Sequence, residues 1–136
     1  MHKRTLRHEV TIHALTTKLW RVLTSSEYTE QFLFDGQFVS DWTKGSPICS
    51  PAGNHKAERG LVKDVVPGIA LEFTLFGLAD VSTAPVDLSY QLVPEQGGIM
   101  LILAVNIAFE ADNLYRIMDE QCKMMLQKIK WLAEYL

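Results

Sequence analysis

The sequence predicts an α+β protein in which a curved antiparallel sheet wraps around one long C-terminal helix. Residues 86–92 and 99–107 place an apolar side chain at every second position, which is typical of half-buried strands. Residues 112–136 contain neither glycine nor proline, and their apolar side chains recur at the spacing of an amphipathic helix. A run of strands followed by a helix favours this class over an alternating α/β fold.

The beginning of the chain predicts one strand and two short helices. Residues 6–12 alternate between apolar and polar side chains and indicate the first strand. At Thr16 the apolar spacing changes to that of a helix, for which Thr16 or Thr17 is the expected N-cap. A second short helix is expected directly afterwards, with Ser26 as its cap.

Turn residues divide the middle of the chain into an antiparallel meander. Pro67-Gly68 and residues 94–98 are expected to join neighbouring strands. The predicted strands of the meander cover residues 56–66, 69–75, 86–92 and 99–107. A final helix of about 24 residues extends about 36 Å, which is enough to cross a sheet of about six or seven strands.

The composition is that of an ordinary globular protein. The chain has 136 residues, of which 48% are hydrophobic and 21% charged, and we expect one domain over residues 1–136. A formal net charge of -3 offers no basic surface for nucleic acid. No apolar run approaches the roughly 20 residues of a membrane-spanning helix. We therefore expect a cytoplasmic protein that binds no nucleic acid and inserts into no membrane.

Short motifs spread over nearly the whole chain resemble one protein family. They are Ile12-His13-Ala14, Leu19 to Thr24, Trp42 before Gly45, Gly60 to Val65 with Pro67 and Leu71, and the hairpin segments Leu88 to Pro94 and Gly97 to Leu101. Their order and spacing resemble the START-like, SRPBCC-type family of activator-of-heat-shock-ATPase homologues (AHSA). The resemblance implies the helix-grip fold, whose element order matches the one predicted above.

The space between the sheet and the C-terminal helix is the expected binding site. The resemblance implies that this space holds an apolar ligand. We expect a hydrophobic small molecule to contact Phe32, Trp42, Phe73, Leu75, Tyr90, Leu103, Met118, Cys122 and Met125. The same side chains could instead fill the space as a packed core, although methionine adapts well to irregular apolar cavities. Trp42 and Tyr90 each carry a polar atom that could orient a ligand or bond to the backbone.

No combination of side chains indicates a catalytic, metal or cofactor site. His8 and His13 alternate to opposite faces of the first strand, so they cannot converge on one metal ion. The leading hypothesis is therefore a non-enzymatic ligand-binding domain. The resemblance to START-like proteins implies an alternative, an enzyme of the aromatase/cyclase kind, in which Tyr90 or His8 would polarise a carbonyl group. A co-chaperone-like interaction module rests on the family name alone.

The last predicted strand is apolar on both faces. Met100, Ile102 and Ala104 alternate with the inward-facing residues, although a sheet face in contact with water is normally polar. The pattern predicts a homodimer through these three residues, since two-fold dimers are the commonest soluble oligomers. Alternatively, sheet curvature or the loop Leu78 to Pro85 shields them within one chain.

Overall fold

A computed structural model of the chain describes residues 2–33, 38–52, 55–76, 85–109 and 112–136. The described residues form β1 (His2–Ile12), α1 (Thr16–Thr24), α2 (Ser26–Phe32), β2 (Pro47–Ala52), β3 (His55–Val66), β4 (Ala70–Leu75), β5 (Val86–Glu95), β6 (Gly98–Phe109) and α3 (Asp112–Tyr135). The predicted order of one strand, two short helices, a meander and a long helix is confirmed. The chain has the helix-grip α+β fold.

The strands form one antiparallel sheet in the order β1-β6-β5-β4-β3-β2. Consecutive strands from β2 to β6 lie side by side, and β1 pairs with β6. One row of paired residues crosses the sheet from β1 to β4 through His8, Leu103, Tyr90 and Leu71. The register therefore makes Leu103 and Tyr90 direct neighbours, and it separates His8 from Tyr90 by two strand spacings, or about 10 Å.

Irregular pairing bends the sheet at β2 and β3. The register shifts between Ile48 and Cys49 in β2 and again after Val62 in β3, and such bulges increase the local bend and twist. At Gly60, β3 approaches β4 so closely that a Cβ atom would overlap the carbonyl oxygen of Thr74. These features allow the sheet to curve around α3.

One face of α3 packs against the sheet and the short helices. Its contacts are with β1, β6, α1 and α2. Buried side chains recur along this face at helical spacing: Met118, Cys122, Met125, Leu126, Ile129, Leu132 and Ala133. Removal of this apolar stripe from water is the main force that holds α3 in place. Among the described residues, no helix is long and apolar enough to cross a membrane.

The N-caps of the two short helices are not the residues that the sequence predicts. Leu15 and Ser25 are the N-caps, and neither helix has a side-chain cap hydrogen bond. The expectation that Thr16, Thr17 or Ser26 caps a helix is therefore wrong. Helix boundaries here follow tertiary packing, since the apolar face of α1 is buried and short helices depend on such packing more than on local signals.

The outer face of β6 is largely covered within one chain. Ile102 is only 9% exposed, and it lies between Glu9 of β1 and Gln91 of β5. Met100 and Ala104 are half-buried. The double-sided apolar pattern thus corresponds to a narrow strip between polar neighbours. Residues 77–84, the main part of the loop expected to shield this face, lie outside the described residues.

Candidate functional site

Three aromatic rings form the centre of the interior. Trp42, from the segment between α2 and β2, meets Phe73 of β4 edge to face, with ring centroids 5.4 Å apart. Phe73 in turn lies 5.9 Å from the ring of Tyr90 on β5. Such offset and edge-to-face pairs add stability beyond the burial of their surface. We call Trp42, Phe73 and Tyr90 the aromatic cluster.

The hydroxyl group of Tyr90 is buried against a weak acceptor. It donates to the thioether sulfur of Met125 on α3, at an oxygen–sulfur distance of 3.9 Å. Burial, followed by the proximity of Cys122, raises the pKa of Tyr90 far above its ordinary value. Tyr90 is therefore a neutral hydrogen-bond donor whose present partner binds it weakly.

The indole N–H of Trp42 is also buried. Trp42 is 4% exposed, and its Nε1 atom finds no acceptor among the residues that the structure describes. Its backbone has φ 54, in the left-handed region that side chains larger than glycine rarely adopt. Strain of this kind is concentrated at binding and catalytic sites.

A groove of about 880 Å³ lies on the surface between α2 and α3. Its apolar lining comes from Phe32, Met124, Met125 and Trp131. Its polar rim consists of Gln31, Gln121, Lys123, Gln127 and Lys128. Phe32 and Met125 are 7% and 3% exposed, so they form the floor of the groove rather than its rim. Met125 therefore touches the groove on one side and the hydroxyl of Tyr90 on the other.

The structure places every predicted ligand-binding residue in the buried core. Those residues are Phe32, Trp42, Phe73, Leu75, Tyr90, Leu103, Met118, Cys122 and Met125. Three of them form the aromatic cluster, and two form the floor of the groove. Their contact with a ligand stays a prediction.

Cys122 faces the same interior from α3. Burial, and then the charge of Asp119, raise the pKa of its thiol to about 12. Because the thiolate is the reactive form, this cysteine is a weak nucleophile at neutral pH. Cys49, the other cysteine, is also a free thiol.

Asp119 is a polar residue of this region that sequence reasoning missed. Its carboxylate lies 2.7 Å from His8 Nε2 on β1 and 3.4 Å from the ammonium group of Lys123. Burial disfavours its charge, but hydrogen bonds from His8 and Lys123 outweigh burial and lower the pKa of Asp119. The pair joins α3 to β1. It gives the imidazole of His8, at the edge of the sheet, a hydrogen-bond partner. Within the described part of the chain, His, Cys, Asp and Glu form no metal-binding group of three or more.

A second polar contact fastens the end of α3 to β1. The carboxylate of Glu134 accepts the backbone N–H of His13 at 2.8 Å and lies 2.7 Å from Lys130 Nζ. The same ammonium group donates to the carbonyl of Thr11 at 2.7 Å. The hydrogen bond from His13, followed by that from Lys130, lowers the pKa of Glu134. These contacts fix the helix across the sheet and thereby fix the walls of the interior.

Glu134→Gln is expected to weaken the fold at neutral pH but not in acid. The carboxylate stabilises the folded state above the ordinary pKa of 4.5, and this contribution is lost as the pH falls through the lowered value. We expect a loss of about 1 kcal/mol at pH 7, since solvent screens a contact of this kind. Urea unfolding at a series of pH values from 7 down to 2 measures it, with Glu72→Gln on β4 as the control. A loss that stays constant over this whole range would contradict the charged contact.

Another hollow, of about 640 Å³, lies where β1 begins and β6 ends. Its described walls include Arg4, Asp87 and Asn106. Asn106 accepts a hydrogen bond from Thr5 at 2.6 Å, and Asp87 pairs with Lys63 at 3.1 Å. Its polar groups are thus engaged with neighbouring side chains, whereas the groove between α2 and α3 is lined by Met125, whose sulfur accepts from the buried hydroxyl of Tyr90.

Similarity to a known family covers most of the chain. The family model described as activator of Hsp90 ATPase homolog 1-like protein matches residues 13–134. No curated protein matches the sequence.

Solved structures share the fold at low sequence identity. The solution structure of the Aha1 dimer from Colwellia psychrerythraea has a TM-score of 0.78 and 15% identity, over 97% of this chain and 97% of that chain. A Bacillus halodurans protein has a TM-score of 0.77 and 17% identity, over 98% and 100% of the two chains. A Mesorhizobium loti protein has a TM-score of 0.75 and 19% identity, over 95% and 96%. At these identities the likeness concerns the fold alone.

Proposed function

The chain belongs to the family of activator of Hsp90 ATPase homolog 1-like proteins, and from this premise we propose that it binds a hydrophobic or lipid-like small molecule between the sheet and α3. The observation that carries the proposal is the position of Met125. Its thioether contacts the hydroxyl of Tyr90, and its side chain also forms part of the groove floor. A ligand that enters the groove meets Met125 and Phe32 before it reaches the aromatic cluster.

The groove has the size and lining of a small-molecule site. Its volume of about 880 Å³ lies within the range of roughly 300–1,000 Å³ that is typical of ligand pockets. Apolar side chains form its walls and floor, while amides and ammonium groups surround its mouth. This arrangement suits a molecule that has a long apolar part and keeps a polar end near water.

Movement of Met125 at the floor of the groove would open a path for a ligand into the interior. Met125 has three rotatable side-chain bonds and a polarisable sulfur, so it changes shape at low cost. Movement of its thioether away from Tyr90 gives up only a weak hydrogen bond. We therefore expect an apolar ligand to displace Met125 and extend from the groove into the interior, where Met118 and Cys122 face it from α3.

The side chains of the interior are suited to holding a molecule rather than to reacting with it. Burial raises the pKa of both Tyr90 and Cys122, so Tyr90 can donate a hydrogen bond to a carbonyl group but cannot act as a general base, and Cys122 is a weak nucleophile. His8, the other residue considered for carbonyl polarisation, is engaged with Asp119 at 2.7 Å. These features support binding over the aromatase/cyclase alternative.

Native mass spectrometry of the protein purified from its host tests the proposal. We expect an added mass of a lipid-like or aromatic compound that is released on denaturation. A bare protein that also fails to bind hydrophobic dyes would contradict ligand binding and would favour a role in protein interaction.

Met118→Trp is expected to block binding of the uncharged dye N-phenyl-1-naphthylamine. The larger side chain occupies the ligand space from α3, so dye fluorescence is lost, and because Met118 is fully buried the free energy of unfolding falls by about 1–3 kcal/mol. Leu61→Trp, at a position 40% exposed on β3, is the control and should leave dye binding intact. A wild type that binds no dye, or a folded Met118→Trp variant that still binds it, would contradict the ligand space.

We also propose a homodimer through the outer face of β6, centred on Met100, Ile102 and Ala104. The strip is apolar, and the Colwellia protein of the same fold is a dimer. Because stable interfaces bury about 800 Å² per partner, the neighbouring side chains of β1 and β5 must contribute to the contact.

Ile102→Lys is expected to produce a folded monomer. An ammonium group at the centre of the apolar contact would lose its hydration in the dimer, whereas in the monomer the long lysine side chain reaches water. Analytical ultracentrifugation at high micromolar concentration measures the effect. Met124→Lys, at a position 70% exposed on α3, is the control and should remain dimeric. A wild type that is already monomeric contradicts the dimer.

A further inference from the structure

The unpaired indole N–H of Trp42 is the clearest unsatisfied group in the described interior. Trp42 is 4% exposed, and no described residue accepts a hydrogen bond from its Nε1 atom. The folded state loses the bond that this N–H would make with water and gains none in return. Buried polar groups are nearly always paired in proteins, so the exception points to a partner that binds from outside.

The loop around Trp42 holds the indole in this position. The backbone N–H of Trp42 donates to Ser40 Oγ at 3.1 Å, and Ser46 Oγ lies 3.2 Å from that same atom. Ser46 Oγ also donates to the carbonyl of Thr43 at 2.7 Å. The loop is tied to β3, since Val62 N–H donates to the Ser46 carbonyl at 2.9 Å. These bonds maintain the φ of 54 at Trp42 and keep the indole inside.

A second donor belongs to the tyrosine that contacts the same phenylalanine. Trp42 and Tyr90 contact Phe73 with ring centroids 5.4 and 5.9 Å away. The hydroxyl of Tyr90 donates to the sulfur of Met125, a weak acceptor that lies 3.9 Å away. Displacement of Met125 by a ligand frees this hydroxyl. The cluster then presents two donors, the indole N–H of Trp42 and the hydroxyl of Tyr90, in apolar surroundings.

We propose that the ligand of this site is an apolar molecule with a neutral carbonyl group, which accepts a hydrogen bond from Trp42 Nε1, with the Tyr90 hydroxyl as the second donor. The inference rests on the proposed function and names the ligand class. An ionised carboxylate fits poorly, because Phe73, Met125 and Cys122 around the donors carry no positive charge and a buried anion needs one. Ketones, esters, lactones and amides with a large apolar body satisfy both requirements.

Two compounds that differ in one group test the ligand class. Isothermal titration calorimetry compares 2-acetylnaphthalene with 2-ethylnaphthalene, which has nearly the same shape but no acceptor. We expect the ketone to bind at least about fivefold more tightly, although it is the less hydrophobic compound. Trp42→Phe should reduce this preference, since only the Tyr90 donor remains, and should leave the affinity for 2-ethylnaphthalene within about twofold. Trp20→Phe on α1 is the matched control and should keep the preference.

The outcomes separate the ligand class from the function itself. If neither compound binds, the proposed function fails. If both bind equally, or if Trp42→Phe leaves the preference undiminished, the carbonyl inference fails while ligand binding stands. In the unmodified protein, the indole N–H proton resonance of Trp42 should move downfield with the ketone and not with the hydrocarbon. This measurement decides the question even if the variant does not fold.

Discussion

Phe73→Ala is expected to lower the free energy of unfolding by about 3–5 kcal/mol, the usual cost of removing a buried phenylalanine. Phe73 is fully buried and contacts both Trp42 and Tyr90, so the truncation leaves a cavity in the middle of the aromatic cluster. Chemical denaturation monitored by circular dichroism measures the loss. Because an apolar cavity of this kind takes up small aromatic molecules, benzene should restore part of the stability.

The control for this effect is Leu61→Ala, at a position 40% exposed on β3. We expect it to cost less than about 1 kcal/mol and to show no response to benzene. A loss for Phe73→Ala as small as that for Leu61→Ala would mean that the aromatic cluster is not the packed centre of the fold.

Gly60→Ala is expected to cost about 3 kcal/mol, at the upper end of the range for overpacked sites. The added methyl group would overlap the Thr74 carbonyl oxygen, which belongs to the rigid backbone of β4. The two strands would have to separate at the point where the sheet bends. Thermal and urea unfolding measure the effect, and we expect a reduced melting temperature.

Gly97→Ala separates steric overlap from backbone strain. Gly97 has φ +81, but the space around its added Cβ is open. The substitution should therefore cost only about 1–2 kcal/mol, the penalty of the left-handed conformation. If Gly60→Ala costs no more than Gly97→Ala, close approach of β3 and β4 does not shape the sheet.

The regular elements could be predicted from the sequence because local periodicity determines them. Alternation over residues 99–107 predicts β6, which spans Gly98–Phe109. The absence of glycine and proline after Asp112 predicts α3, which spans Asp112–Tyr135. The helix caps could not be predicted in this way, because burial of the apolar faces rather than side-chain capping fixes where α1 and α2 begin.

The sequence could predict which residues face the interior, but not how their side chains are arranged there. Apolar alternation places Phe73 and Tyr90 on the inner face, yet the left-handed conformation of Trp42 depends on bonds between its loop and β3. The contact of Asp119 with His8 depends on how α3 lies across β1, which no local pattern encodes. The groove also includes Trp131, an exposed aromatic side chain whose role is visible only beside α2.

Methyl NMR of the methionines tests the central claim, binding of an apolar molecule between the sheet and α3, most directly. The chain has five methionines, and four of them report on different places. Met118 lies in the interior, Met125 at the floor of the groove, Met124 on its exposed wall and Met100 on the outer face of the sheet. On titration with 2-acetylnaphthalene, we predict large shifts for Met125 and Met118 and none for Met100. Shifts confined to Met124 or Met100, or no saturable shift at all, would contradict binding in the interior.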